Sequence, residues 1–133
     1  MKLGMTGNRN GITNEAKAVL IDFINNNKID EIHHGDCVGA DKDFHDVCAE
    51  HKLKIVIHPP NDAKMRAFCV ADVILPEQKY LDRNHNIVDD ADVLIAFPST
   101  KKETVRSGTW GTIRYARKKK KQIIVVFSDG TCK

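Results

Sequence analysis

Small and charged residues in two short stretches of the chain could bind a phosphate group. The first stretch, GMTGNR at residues 4–9, follows an apolar start and precedes a helical pattern. Gly7 permits a backbone turn that a side chain would block, and Arg9 can pair with an anion at the start of the following helix. A plain strand-to-helix turn is the alternative. The residues predicted to bind ligand here are Gly4, Thr6, Gly7 and Arg9.

The second stretch, SGTWGT at residues 107–112, opens another helical pattern behind the apolar run Val93–Phe97. The first backbone N–H groups of a helix lack intrahelical partners and favour an anion. Trp110 is the only tryptophan; core packing is its ordinary role, and stacking on a base is the alternative. The residues predicted to bind ligand here are Ser107, Gly108, Thr109, Trp110, Gly111 and Thr112.

A third stretch, GDCVGAD at residues 35–41, carries two acidic residues between glycines. Gly35 allows a ligand to approach the backbone closely, and Asp36 and Asp41 could accept hydrogen bonds from ribose hydroxyls. Asp41 could equally cap the next helix or stabilise its dipole. We therefore predict a ribose-binding role for this loop, with Gly35 in the ligand site and the two aspartates as candidate acid, base or nucleophile.

Alternating short apolar strands and amphipathic helices predict how these loops are positioned. Apolar runs predict strands at residues 2–6, 31–34, 53–58, 92–97 and 122–127, and helical spacing predicts helices at 14–27, 40–51 and 109–120 and another ending at Asp89-Asp90. Such alternation favours one parallel sheet with helices on both faces. We predict a single α/β domain over residues 1–133, a Rossmann-like three-layer fold with about five strands in the order 3-2-1-4-5.

This order makes the first and fourth strands neighbours, and the two glycine-containing loops follow those strands. Ligands of open α/β sheets bind at such a switch point, so the predicted architecture and the predicted site agree. The segment at residues 61–78 has no clear period and could form a short helix or a lid.

Composition narrows the classes of partner. The net charge of +3 is too small to indicate nucleic-acid binding, and no apolar run is long enough to span a membrane. The four cysteines form no CxxC pair and no secretory signal precedes them, so reduced thiols in the cytoplasm are expected.

The full GxGxxG fingerprint is missing, which argues against a dinucleotide oxidoreductase, and we expect no cofactor. The adjacent His33 and His34 on a strand point to opposite faces, and no HExxH motif occurs, so no metal site is expected.

The chain resembles the SLOG superfamily of Rossmann-like nucleotide-binding domains in four motifs, which are GMTGNR, HHGDCVGAD, YLDRNHNIVDDADVLIAFP and SGTWGTIRYA. That superfamily includes the Lonely Guy phosphoribohydrolases and the Rossmann domain of DNA-processing protein A. Arg83 falls where the catalytic arginine of the Lonely Guy motif would lie. Residues 107–112 stand in for its GGxGT, after an insertion at 99–106. The resemblance implies a nucleotide ligand, a catalytic Arg83 and a homodimer.

The chain departs from the Lonely Guy pattern at two positions. Asn84 replaces the motif lysine, and Tyr115 replaces the glutamate that binds ribose and assists cleavage of the N-glycosidic bond. Asp36, Asp41 or Glu103 could supply the missing carboxylate.

Three functional hypotheses follow from the resemblance and the site residues. The leading one is binding of a phosphorylated nucleoside or an ADP-ribose-type nucleotide, with Trp110 or Tyr115 touching base or sugar. The alternative is a nucleoside 5′-monophosphate N-glycosidase, a hydrolase in which Arg83 stabilises charge and an aspartate acts as acid, base or nucleophile. Single-stranded DNA binding is disfavoured because the chain lacks a long basic stretch and an aromatic platform.

Overall fold

A computed structural model describes all 133 residues and contains one six-stranded parallel sheet. The strands are β1 (Lys2–Gly7), β2 (Glu31–His34), β3 (Lys54–Ile57), β4 (Val73–Ile74), β5 (Val93–Phe97) and β6 (Gln122–Val125), in the order β4-β3-β2-β1-β5-β6. The predicted order of five strands is therefore confirmed, and the short edge strand β4 extends it. With two residues, β4 is too short to produce a recognisable period in the sequence.

Four helices cover the two faces of the sheet: α1 (Asn14–Asn26), α2 (Ala40–Glu50), α3 (Tyr80–Asp90) and α4 (Gly108–Lys118). Side chains of α1 and α2 share the largest apolar cluster with Ile95 of β5, whereas Leu94 of the same strand packs with α3 and α4. All five residues of β5 are buried, as expected for a central strand covered on both sides. The three-layer α/β architecture predicted from the sequence is confirmed.

The segment between β3 and α3 is tied to the loop after β2. It contains one 3-10 turn at Ala63–Met65, where the sequence suggested a short helix or a lid, and then β4. Asp36 accepts hydrogen bonds from Arg66 Nε at 3.0 Å and from the backbone N–H of Cys69 at 2.8 Å. This fully buried carboxylate holds the segment against the sheet.

None of the four helices combines the length and the apolar character that crossing a bilayer requires.

Candidate functional site

A cleft opens where the predicted switch point lies, at the carboxyl ends of β1, β2 and β5. Its inner compartment is narrow, with a cavity volume of about 40 Å³, and is lined by the β1 and β2 loops and one face of α3. Its outer compartment, with a volume of about 600 Å³, extends to the start of α4. The two compartments share the wall formed by Gly7, Asn8, Arg9 and Tyr80. The loops after β1 and β5 therefore face one space, as the strand order predicted.

Arg83 is the central charge of the inner compartment. Its side chain projects from α3 and is only 2% exposed. The guanidinium donates to the carbonyl oxygens of Gly35 and His58 and to the side-chain oxygen of Asn84, and it contacts the sulfur of Cys37. These partners include no carboxylate. A buried charge is costly unless an opposite charge balances it, and the nearest carboxyl group, Asp41, shares the compartment without forming a direct ion pair, so this guanidinium remains available to an anion.

Gly35 is required for this position of Arg83. A methyl group at residue 35 would overlap the Arg83 guanidinium and would lie 2.9 Å from a carboxylate oxygen of Asp41. The absence of a side chain thus lets an arginine from α3 reach across the end of β2. The close contact at Gly35 is therefore made by the side chain of Arg83, whereas the sequence predicted that a ligand would make it.

Asp41 is the carboxylate of the inner compartment. It lies in the first turn of α2, is 8% exposed and accepts a hydrogen bond from the backbone N–H of Cys37 at 3.1 Å. Burial raises its pKa to about 6, against the opposing influence of Arg83. A carboxyl group with such a pKa exchanges protons near neutrality, which is the property of a general acid or base.

Cys37 lies between these charges, but its environment does not activate the thiol. Burial raises its pKa, Asp41 adds to that effect, and Arg83 opposes it. Because the thiolate is the reactive form, Cys37 contributes a neutral wall to the compartment at neutral pH.

The outer compartment is built around the start of α4. Ser107 caps this helix by accepting a hydrogen bond from the backbone N–H of Trp110 at 3.2 Å. Gly108 packs directly against the hydroxyl of Tyr80, and a side chain at residue 108 would overlap that ring. Arg9 and Arg106 line the same space and are exposed. The N-terminus of α4 and these two arginines together form a surface that attracts anions.

The structure brings most of the predicted ligand residues to this cleft. The ones that line it are Thr6, Gly7, Arg9, Gly35, Asp41, Arg83, Ser107, Gly108, Thr109 and Gly111.

Four predicted site residues lie elsewhere. Gly4 faces α3, where a methyl group would come 2.9 Å from the Cβ of Ala91, so this glycine serves helix packing. Asp36 lies outside the cleft, and both of its carboxylate oxygens accept hydrogen bonds from the segment at residues 66–69. Trp110 is 1% exposed within an apolar cluster, and Thr112 donates its hydroxyl to the carbonyl oxygen of Gly108 within α4.

The two further candidates for ligand contact, Tyr115 and Glu103, are also engaged away from the cleft. Tyr115 donates its hydroxyl to Asp89 at 2.9 Å and stacks on His85, with ring centroids 3.8 Å apart. Glu103 pairs with Arg114 and Arg117. Of the three carboxylates considered as replacements for the missing glutamate, only Asp41 faces the cleft.

Several lining residues were given no ligand role in the sequence analysis, among them Cys37, Tyr80, Asn84 and Arg106. Tyr80 and Asn84 share the face of α3 that carries Arg83, and the Tyr80 ring lies 5.2 Å from the guanidinium carbon. Tyr80 precedes Arg83 by three residues and Asn84 by four, and residues so spaced lie on one side of a helix. This spacing could have identified Tyr80 and Asn84 as neighbours of Arg83 from the sequence. Comparison of the chain with protein-family models, with curated proteins and with solved structures finds no match.

Proposed function

We propose that this protein binds a phosphorylated nucleoside or an ADP-ribose-type nucleotide in the cleft. The observation that carries the proposal is the guanidinium of Arg83, which is buried, free of any carboxylate partner and directed into the inner compartment. An anionic ligand would add a direct ion pair, which the more distant Asp41 does not form. The outer compartment, at about 600 Å³, lies within the range of about 300–1,000 Å³ that is typical of small-molecule sites, and the inner compartment, at about 40 Å³, would admit only a small group of the ligand.

The two compartments suggest how such a ligand would divide its groups. The start of α4, with Arg9 and Arg106, favours a phosphate in the outer compartment. Asp41 and Asn84 offer hydrogen-bond acceptors and donors for ribose hydroxyls in the inner compartment. The Tyr80 ring lies between them and provides a flat apolar surface. We also propose membership of the SLOG superfamily, which the quoted motifs and the strand order support.

Asp41 favours a second candidate function, hydrolysis of the N-glycosidic bond of a nucleoside 5′-monophosphate. With a pKa of about 6, this carboxyl group could donate a proton to the departing base. The C1′–N bond would break with its electron pair on the base nitrogen, and water would add to the sugar carbon and lose a proton. Arg83 would stabilise the negative charge that develops on the departing base, while the phosphate remains in the outer compartment.

Binding and hydrolysis can be separated in one experiment. Purified protein would be incubated with a panel of ribonucleotides, deoxyribonucleotides and ADP-ribose and divided into two samples. One sample would be denatured directly and the other desalted first, and both would be resolved by liquid chromatography with mass detection. A nucleotide that is retained intact supports binding alone, whereas release of free base from one substrate supports the hydrolase.

The matched variants are Arg83→Ala and Arg117→Ala, because Arg117 is an exposed arginine on α4 that pairs with Glu103 and does not line the cleft. Retention or turnover should be lost in the first variant and preserved in the second. A protein that neither retains nor consumes any nucleotide of the panel would refute both functions.

A further inference from the structure

A second cluster of chemically capable side chains lies outside the cleft, on the face of the sheet that α3 covers. It consists of His33 on β2, His58 directly after β3 and Asp90 in the last turn of α3. One ligand atom from each residue lies within 4.8 Å of the others. The two imidazoles are buried, and the carboxylate of Asp90 is 49% exposed, so the cluster is reachable from solvent on one side.

Glu31 determines which nitrogen of His33 carries a proton. Its carboxylate lies 2.8 Å from Nε2 of His33, so that nitrogen is the donor, and Nδ1 keeps its lone pair. This lone pair points at Nε2 of His58, 2.8 Å away. Histidines that bind metals usually donate their other ring N–H to a carboxylate or a carbonyl, and the Glu31–His33 pair has that arrangement.

A cluster of the same size on the opposite face differs in how firmly its protons are held. His34, His45 and Cys69 also approach one another within 4.8 Å. However, Nδ1 of His34 accepts the backbone N–H of Asp36 at 2.9 Å, which places the ring proton on Nε2, and Nε2 donates it to Nδ1 of His45. Burial also raises the pKa of the Cys69 thiol to about 12. Two of the three ligand atoms, Nε2 of His34 and the sulfur of Cys69, therefore carry protons that the surrounding packing holds in place, and the cluster is less suited to a metal ion.

We propose that Nδ1 of His33, Nε2 of His58 and the carboxylate of Asp90 form a binding site for a divalent transition-metal ion, with zinc as the best fit. Two imidazoles and one carboxylate form a common ligand set of zinc sites that keep a coordination position open. That position would face the groove of about 140 Å³ between α3 and the segment at residues 75–78, which Gln78 and Asn86 line.

Small adjustments would complete the coordination. Metal–nitrogen bonds of about 2.0–2.1 Å at tetrahedral angles separate two nitrogens by roughly 3.3 Å. The two imidazole nitrogens, now 2.8 Å apart, would therefore move by a few tenths of an ångström. In the metal-free protein Nε2 of His58 donates its proton to Nδ1 of His33, and on metal binding His58 would carry that proton on Nδ1 instead. The carboxylate oxygen of Asp90 lies 3.9 Å from Nε2 of His58 and belongs to a half-exposed side chain, so it can move the remaining distance.

The test is calorimetric titration of the chelator-treated full-length protein with zinc chloride. One zinc ion per chain is expected, with affinity reduced at least 10-fold in Asp90→Asn and His58→Gln. Because partners that orient a metal-binding histidine typically contribute 10- to 100-fold in affinity, Glu31→Gln should weaken binding by that factor. Asp90→Asn changes one exposed side chain, so it remains informative even if a substitution of a buried histidine unfolds the protein.

The matched controls are Cys69→Ser, in the opposite cluster, and His85→Ala, whose ring stacks on Tyr115. Both controls should bind zinc as the unmodified chain does. The proposal is overturned if the protein binds no zinc, if binding survives unchanged in both Asp90→Asn and His58→Gln, or if Cys69→Ser is the variant that loses it.

Discussion

The inner and outer compartments of the cleft both carry positive charge, but they hold it in different ways. Arg83 is buried among carbonyl oxygens, with the buried carboxyl group of Asp41 nearby, whereas Arg9 and Arg106 extend into solvent. A hydrogen bond that involves a buried charge contributes about 1.5–3 kcal/mol, whereas an exposed ion pair contributes about 0–1 kcal/mol. We therefore expect the inner compartment to determine affinity and any chemistry. The outer compartment would mainly attract and orient the phosphate.

The strongest test of this difference is Gly35→Ala. The added methyl group would displace the Arg83 guanidinium from the inner compartment while leaving its charge in the protein. Nucleotide affinity should fall about 100-fold, which corresponds to roughly 3 kcal/mol of lost interaction. Equilibrium binding by calorimetry measures the change.

The matched control for that substitution is Gly111→Ala in the outer compartment. There the nearest atom to the added methyl group is Nη2 of Arg114 at 3.7 Å, which is ordinary contact. Affinity should change less than about threefold, and helix propensity should raise the free energy of unfolding by about 0.5–1 kcal/mol. Equal losses of affinity in the two variants would mean that the compartments do not differ.

Asp41→Asn sharpens the comparison through pH. The folded-state pKa of Asp41 is about 6, above the ordinary value of 3.8, so the folded protein holds this proton more tightly than the unfolded chain does. The stabilisation is complete below pH 3.8 and is lost as the pH rises through 6. The free energy of unfolding of Asp41→Asn minus that of the wild type should therefore be larger at about pH 7.5 than at about pH 4.5, by roughly 1–3 kcal/mol.

Urea unfolding of both proteins at the two pH values measures this difference. Burial is the main cause of the lowered pKa values of His34 and His58. These two residues therefore make the folded protein more stable as the pH rises, which is the opposite of the effect of Asp41. They are present in both proteins, so their contribution cancels in the comparison. A difference in stability that does not depend on pH would show that Asp41 has no raised pKa.

The smallest effect is expected for Arg9→Gln in the outer compartment. Its side chain is exposed and screened by water, so removal of the charge should weaken nucleotide binding only about threefold at moderate salt. Arg117→Gln is the control with the same change in net charge. A loss of more than about 30-fold for Arg9→Gln would assign the dominant anion contact to Arg9 on the shared wall instead of to Arg83.

Much of the fold follows from local periodicity. The apolar runs located all five long strands, and their alternation with helices predicted both the parallel sheet and the order 3-2-1-4-5. Thr13, a residue type that favours helix N-caps, stands directly before α1, and its side chain accepts the backbone N–H of Ala16. These features depend on residues a few positions apart, so one sequence suffices to predict them.

The site was predicted less completely because it depends on side-chain directions within loops. In the sequence Asp36 is the stronger site candidate of the two aspartates, because only Asp41 has the alternative role of a helix cap. However, Asp36 has a backbone φ of 55°, and its side chain turns towards Arg66 while Asp41 faces the cleft. No periodicity reports such a turn. Trp110 differs, because Trp110, Ile113 and Ala116 recur at helical spacing and all three are buried. That pattern favoured core packing over stacking on a base.

The central claim is that a nucleotide occupies both compartments of the cleft. The most direct measurement is a map of backbone amide chemical shifts in the ¹⁵N-labelled protein, titrated with the nucleotide that the chromatographic panel retains best. The account predicts saturable changes at Gly35 in the inner compartment and at Gly108 and Thr109 in the outer one, with the indole N–H of Trp110 unaffected. Changes confined to the edge strand β4 and the segment at residues 66–70, with none at the cleft, would contradict it.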